Sequence, residues 1–197
     1  MQPYHKYVFD KDNRQFVGQF EEMYQNEEIE NYDSWFQEDL THLGKQISLI
    51  ILNRYNFSTI LDIGCGKGAF THLLKKSNNK VVGADISETA IVKAKSRYRD
   101  IEFLKLNAEK ALSLKKDWDL IVMIETLSYL ENWKEILEKV ASRSMHIYIS
   151  LYLPPNPIGF VKSFEELKNQ INKYFDSETE LLWNNETMFI MGKKKES

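Results

Sequence analysis

Three glycines at alternate positions, Gly64, Gly66 and Gly68, follow Asp62 at the end of an apolar run over 60–63. Glycine accepts positive φ and lets a ligand reach the backbone with no Cβ in the way. A second acid, Asp85, ends another apolar run that begins near residue 80 and could take two hydrogen bonds from a ribose-type diol. Ser87 stands two positions on, where it could cap the next helix and leave Asp85 free. A third acid, Glu125, closes the apolar segment 118–124, and Tyr129 follows it. The glycines and Asp85 fit a nucleotide-binding corner. Each has a plainer use as well: a glycine loop can only turn the chain, an acid after a strand can only cap, and a tyrosine can only pack.

The pieces around these residues alternate between strand and helix. Segments 59–63, 80–86, 101–106, 118–124 and 145–150 read as buried strands, the fourth almost wholly apolar and therefore central. Helices are predicted over 71–76, 87–98, 132–141 and from 163, the last two opened by the capping boxes Asn132 to Glu135 and Ser163 to Glu166. A proline-rich loop spans 151–159, and 178–191 reads as a hairpin turning at Asn184-Asn185. The fold class is α/β: a doubly wound, mostly parallel seven-stranded sheet closed by a C-terminal antiparallel hairpin. Ahead of it, residues 1–55 carry many aromatics and acids. A helix is expected over 14–25, and a second one with Leu40, Leu43, Ile47, Ile50 and Ile51 on one face. The aromatic arm must pack on something, either covering the sheet or a subunit interface or closing over a site as a lid. We read 1–197 as a single domain with its binding core over 56–192.

Composition narrows the partners. With 197 residues the chain is sized for one core, and a net charge of −3 argues against nucleic acid, whose phosphates need a basic field. The single cysteine, Cys65, excludes an internal disulfide. No apolar run is long enough to span a membrane, and the start lacks the apolar core of a secretion signal, so a cytoplasmic location is expected. No metal-ligand cluster is apparent.

Two cofactor readings fit the loop. Gly64-x-Gly66-x-x-Ala69 matches the dinucleotide fingerprint, and Asp62-x-Gly64-x-Gly66-x-Gly68 resembles motif I of the class I S-adenosylmethionine (SAM) dependent methyltransferases. The segments 82–87, 103–109 and 118–130 extend the second resemblance over most of residues 35–192, and a dehydrogenase would need a substrate domain that a closing hairpin does not supply. The resemblance implies SAM as cofactor. It places Gly64, Cys65 and Gly66 against the methionine part, with Asp62 orienting the loop or the amino group. Asp85 would hold the ribose, Ile86 and Ala108 would lie at adenine, and Asn107 would meet the adenine amino group. Ile124 and Glu125 would line the sulfonium end. Glu125-Thr126-Leu127-Ser128-Tyr129-Leu130, with Asp33-x-Trp35 ahead of the fold, is also similar to small nodulation-type N-methyltransferases acting on oligosaccharides.

The implied activity is methyl transfer to N or O of a small molecule or saccharide, with Glu125 and Tyr129 as catalytic candidates. Tyr32, Trp35, His42 and Tyr152 would form the acceptor pocket. His72 and His146 are expected to pack, and His5 to be exposed. A homodimer is one expectation for the aromatic arm. The alternatives are a catalytically idle SAM-fold partner subunit and an NAD(P)-dependent oxidoreductase.

Overall fold

The computed structural model describes residues 2–114 and 117–196. The arm comes first: α1 (His5–Val8), a hairpin of β1 (Phe9–Asp10) and β2 (Gln15–Phe16), then α2 (Phe20–Glu30). The helix expected over 14–25 begins later, because β2 occupies its first turn and Gly18, at φ +69°, turns the chain before α2. The aromatics build a small core of their own: Tyr4, Val8, Met23 and Tyr24 are buried, and Phe9, Phe16, Phe20 and Trp35 pack around them together with Tyr129. Helix α3 (Leu43–Leu52) corrects the expected apolar face. Leu40 precedes the helix, while Leu43 and Ile50 are exposed; Ser48, Ile51 and Leu52 turn inward, as positions i, i+3 and i+4 must.

The core alternates strictly. Its strands are β3 (Thr59–Ile63), β4 (Lys80–Asp85), β5 (Glu102–Lys105), β6 (Trp118–Ile124) and β7 (Ser144–Tyr152). Between them run α4 (Ala69–Leu73), α5 (Glu88–Arg97), α6 (Ala108–Leu112) and α7 (Trp133–Arg143), and α8 (Phe164–Ile171) leads to β8 (Phe175–Trp183) and β9 (Thr187–Lys194). The sheet order is β5-β4-β3-β6-β7-β9-β8, with β9 antiparallel to both its neighbours and the other pairings parallel. Asn184 and Asn185 are both left-handed, the conformation that a tight hairpin turn requires. Lys193 and Lys194, which the sequence suggests as a tail, belong to β9.

One sheet face is buried under α6, α7 and α8, the other under α3 and α4. Ser87 caps α5 and Ser163 caps α8 through their hydroxyls, each accepting a backbone N–H at 3.1 Å. Asn132 does not cap α7, because its amide donates instead to Glu109 Oε1 at 2.6 Å. Strand order reverses between β3 and β6, and that opens a crevice at the carboxyl ends of the strands, the place where open α/β sheets take ligands. No helix among the described residues is long and apolar enough to cross a membrane.

Candidate active site

Asp62, Asp85 and Glu125 all stand at strand ends on this crevice. Strand β3 delivers Asp62, which is buried and accepts the Thr71 hydroxyl at 2.6 Å; burial pushes its carboxyl up to about 7. Gly64 follows at φ +80°, and a Cβ there would collide with the Thr126 side chain. Cys65 is buried beside it and its thiol is pushed well up, chiefly by burial, so it packs rather than attacks. Gly66 lines neither of the two chambers described below. Its N–H donates to Asp85 Oδ2 at 2.9 Å, and the Gln37 amide from the arm lies where a Cβ would be.

Asp85, at the tip of β4, also accepts the Ser87 N–H at 2.9 Å through Oδ1. It is therefore tied to the loop as well as set free by the Ser87 cap. Each oxygen still has acceptor capacity for one more donor. Burial raises its pKa, partly offset by the N–H groups of Ser87 and Gly66. Asp85 lines a chamber of about 270 Å³ with Ile86, Asn107, Ala108 and Ile124. Ile86 presents an exposed apolar side chain, suited to a flat ring. Asn107 caps α6 through Oδ1, which accepts the Lys110 N–H at 2.9 Å, and its amide donates to Glu109 at 3.0 Å. Any ligand contact by Asn107 thus shares an oxygen that is already engaged.

A second chamber, of about 440 Å³, begins at Asp62, Gly64 and Cys65 and runs outward past Tyr4, Trp35, His42, Tyr152 and Trp183. Both chambers share Trp35, Gln37, Gly64, Ile124, Glu125 and Tyr129, so they meet at the tip of β6. Glu125 holds a left-handed backbone at φ +52°, a conformation that costs free energy and concentrates at functional sites. Its carboxylate accepts the Tyr152 N–H at 2.8 Å and the Ser150 hydroxyl at 3.1 Å. Burial raises it to about 7 against both of those bonds. Tyr129 stacks on Phe16 at 5.9 Å and touches Phe9, Phe20 and Trp35; burial pushes its phenol far above the usual range. It stays protonated at neutral pH, where Glu125 exists in both forms.

Of the pocket candidates, Trp35, His42 and Tyr152 line the larger chamber. Tyr32 does not; its hydroxyl donates to the Met23 carbonyl at 2.6 Å inside the arm. His5 corrects the expectation of exposure: it lines the larger chamber, and its Nδ1 is buried without a partner. His72 stacks on Tyr98 at 4.5 Å and His146 packs against Phe57 at 5.3 Å. Among the described residues no group of three or more His, Cys, Asp or Glu could hold a metal ion.

The sequence reading misses how the arm is fastened. Lys67, the long side chain inside the glycine loop, is buried and meets Glu27 at 3.1 Å, Asp33 at 2.7 Å and Glu38 at 3.3 Å. Burial opposes its charge, yet Asp33 and Glu27 hold its pKa above the usual value. Gln37 adds a second clasp, its Oε1 accepting the Lys67 N–H at 2.7 Å while its amide donates to the Tyr24 hydroxyl at 2.7 Å. Glu21 adds a third, accepting the Ser87 and Thr89 hydroxyls at 2.6 Å each. The available signal was a lysine among glycines in a chain whose arm is dense in acids.

Residues 61–144 match the family model of a methyltransferase domain. No curated protein matches the chain. Among solved structures, it is similar to the N-methyltransferase NodS from Bradyrhizobium japonicum in complex with S-adenosyl-L-homocysteine. The TM-score is 0.69 and the identity 20%, over 88% of this chain and 98% of that one. A TehB-like SAM-dependent methyltransferase from Corynebacterium glutamicum gives a TM-score of 0.66 at 20% identity, over 84% and 97%. Magnesium protoporphyrin IX methyltransferase from Synechocystis, with bound SAM, gives 0.62 at 15% identity, over 81% and 84%.

Proposed function

We propose, from the match of residues 61–144 to the methyltransferase-domain model, that the protein transfers a methyl group from SAM to N or O of a small molecule or saccharide. The observation that carries this is the pair of chambers meeting at Gly64, Ile124, Glu125 and Tyr129. The smaller one has what an adenosine needs: a carboxylate with spare acceptor capacity at Asp85, an apolar face at Ile86, and polar backbone at Asn107 and Ala108. Asp62, Gly64 and Cys65 continue the path toward the larger chamber and suit the amino-acid end.

SAM supplies an electrophilic methyl on a sulfonium. The protein's part is to orient the acceptor, exclude water and receive a proton. Trp35 and Gln37 of the arm stand over the junction of the two chambers. Glu125 is the acid best suited to receive the proton, because near neutral pH it exists in both forms. Tyr129 acts as a wall. The aromatic lining of the larger chamber suits a sugar ring or a planar acceptor, and the likeness to an N-methyltransferase supports nitrogen as one target.

Calorimetry tests the donor. SAM and S-adenosylhomocysteine should bind, and NADH and NADPH should not. No heat with SAM at millimolar concentration removes the enzyme reading, and nicotinamide binding in its place restores the oxidoreductase.

A further inference from the structure

The charged groups around the larger chamber are unevenly paired. Glu125, Asp62 and Glu186 line it, and none of the three forms a salt bridge among the described residues. The lysine in that lining, Lys45, keeps its charge but has no N–H left for a ligand. Its ammonium donates to the carbonyls of Phe36, of Gln37 at 3.1 Å and of Asp39 at 2.8 Å, which uses its three N–H bonds. The walls between these acids are π faces: Tyr4, Phe9, Trp35, Tyr129, Tyr152 and Trp183. Three carboxyls against one lysine, with His5 and His42 the other bases in the lining, set among aromatic rings, make a site that attracts a positive charge and repels an anion.

Resting on the methyltransferase reading above, we propose that the larger chamber selects an amine acceptor, taken in as its ammonium between Glu125 and the aromatic walls. Glu125 then takes one proton from the ammonium, leaving a neutral carboxyl and an amine with a free lone pair. Acceptors bearing a carboxylate or phosphate at the reacting end are excluded by the same acids.

The test is calorimetry on the whole protein saturated with S-adenosylhomocysteine, at pH 8 so that Glu125 is ionised. The probes are benzyltrimethylammonium, benzyl alcohol and phenylacetate. The cation should bind at least tenfold more tightly than either of the others. Glu125→Gln should reduce that preference at least fivefold, and Glu186→Gln, at an outer turn, should reduce it less. Equal binding of the three probes by the wild type overturns the proposal, as does a preference left intact by Glu125→Gln. If Glu125→Gln does not fold, the wild-type comparison and Glu186→Gln still decide. Failure of S-adenosylhomocysteine to bind at the outset sinks the donor reading, and this inference with it; donor binding without cation preference sinks this inference alone.

Discussion

Replacing Lys67 with methionine removes the ammonium that fastens the arm to the glycine loop. The cost depends on which carboxylates are left stranded. Glu38 is half exposed and Asp33 is partly so; losing those pairs costs roughly 0–1 kcal/mol each. Glu27 is only 5% exposed, and breaking a buried pair costs about 3–5 kcal/mol because the remaining charge stays buried. Lys93 still meets Glu27 at 3.0 Å and the Ser34 N–H still donates to it at 3.0 Å, so the low end of that range applies. About 3 kcal/mol in a chain of this size lowers the melting temperature by roughly 6–12 °C. Thermal denaturation and limited proteolysis of the arm are the assays. Lys67→Met should melt lower and be cut between α1 and α3. The double variant Lys67→Met/Glu27→Gln should lose less than the sum of its parts, since no buried charge remains. A Lys67→Met protein that melts within about 1 °C of wild type and keeps its arm protected refutes the reasoning.

Four other outcomes are expected. Asp85→Ala should weaken S-adenosylhomocysteine binding by roughly tenfold to 150-fold, the worth of about 1.5–3 kcal/mol of charged hydrogen bonding; unchanged affinity by calorimetry would mark Asp85 as a turn residue. With Glu125 raised to about 7, its basic form grows as pH rises, so turnover with an amine should climb through about pH 7, and Glu125→Gln should flatten that limb. Asp62 titrates near 7 when folded and near 4 when unfolded, so the stability it contributes is whole below about pH 4 and is lost as pH rises through about 7; the ligand-free melting temperature should fall across that window, less so in Asp62→Asn. Gly64→Ala must bear a side chain at φ +80° against Thr126, and thermal denaturation should show a loss that Thr126→Ala only partly restores.

The proposed donor side was legible because its parts are local. Asp62, Gly64, Asp85 and Ile86 each end a strand whose apolar run is plain in the sequence, and doubly wound topology brings strand ends together without further information. The proposed acceptor side was legible only as a list of aromatics. Trp35, His42 and Tyr152 reach one chamber, while Tyr32, alike in type and in the same arm, folds back onto Met23. Nothing periodic separates the two outcomes, because the arm's path is set by two strand residues, Gln15 and Phe16, and by the turn at Gly18. The partners of Lys67 lie 29 to 40 positions before it, beyond the reach of helix or hairpin periodicity. Asn132 illustrates the converse: its local pattern is a capping box, and a distant carboxylate, Glu109, takes the side chain away.

The hairpin that closes the sheet has a consequence for how such a chain could change its substrate. Trp183, Glu186 and Thr187 enter the larger chamber from the far edge, and the arm enters from the opposite end of the chain. Asp85, Asn107 and Ala108 line the smaller chamber, to which neither hairpin strand contributes a residue. On the proposed function, exchanging the hairpin alone for that of a relative should therefore change the acceptor while the smaller chamber keeps its lining, whereas exchanging the arm, which supplies Phe16, Phe20, Trp35 and Gln37 to that chamber, should disturb both.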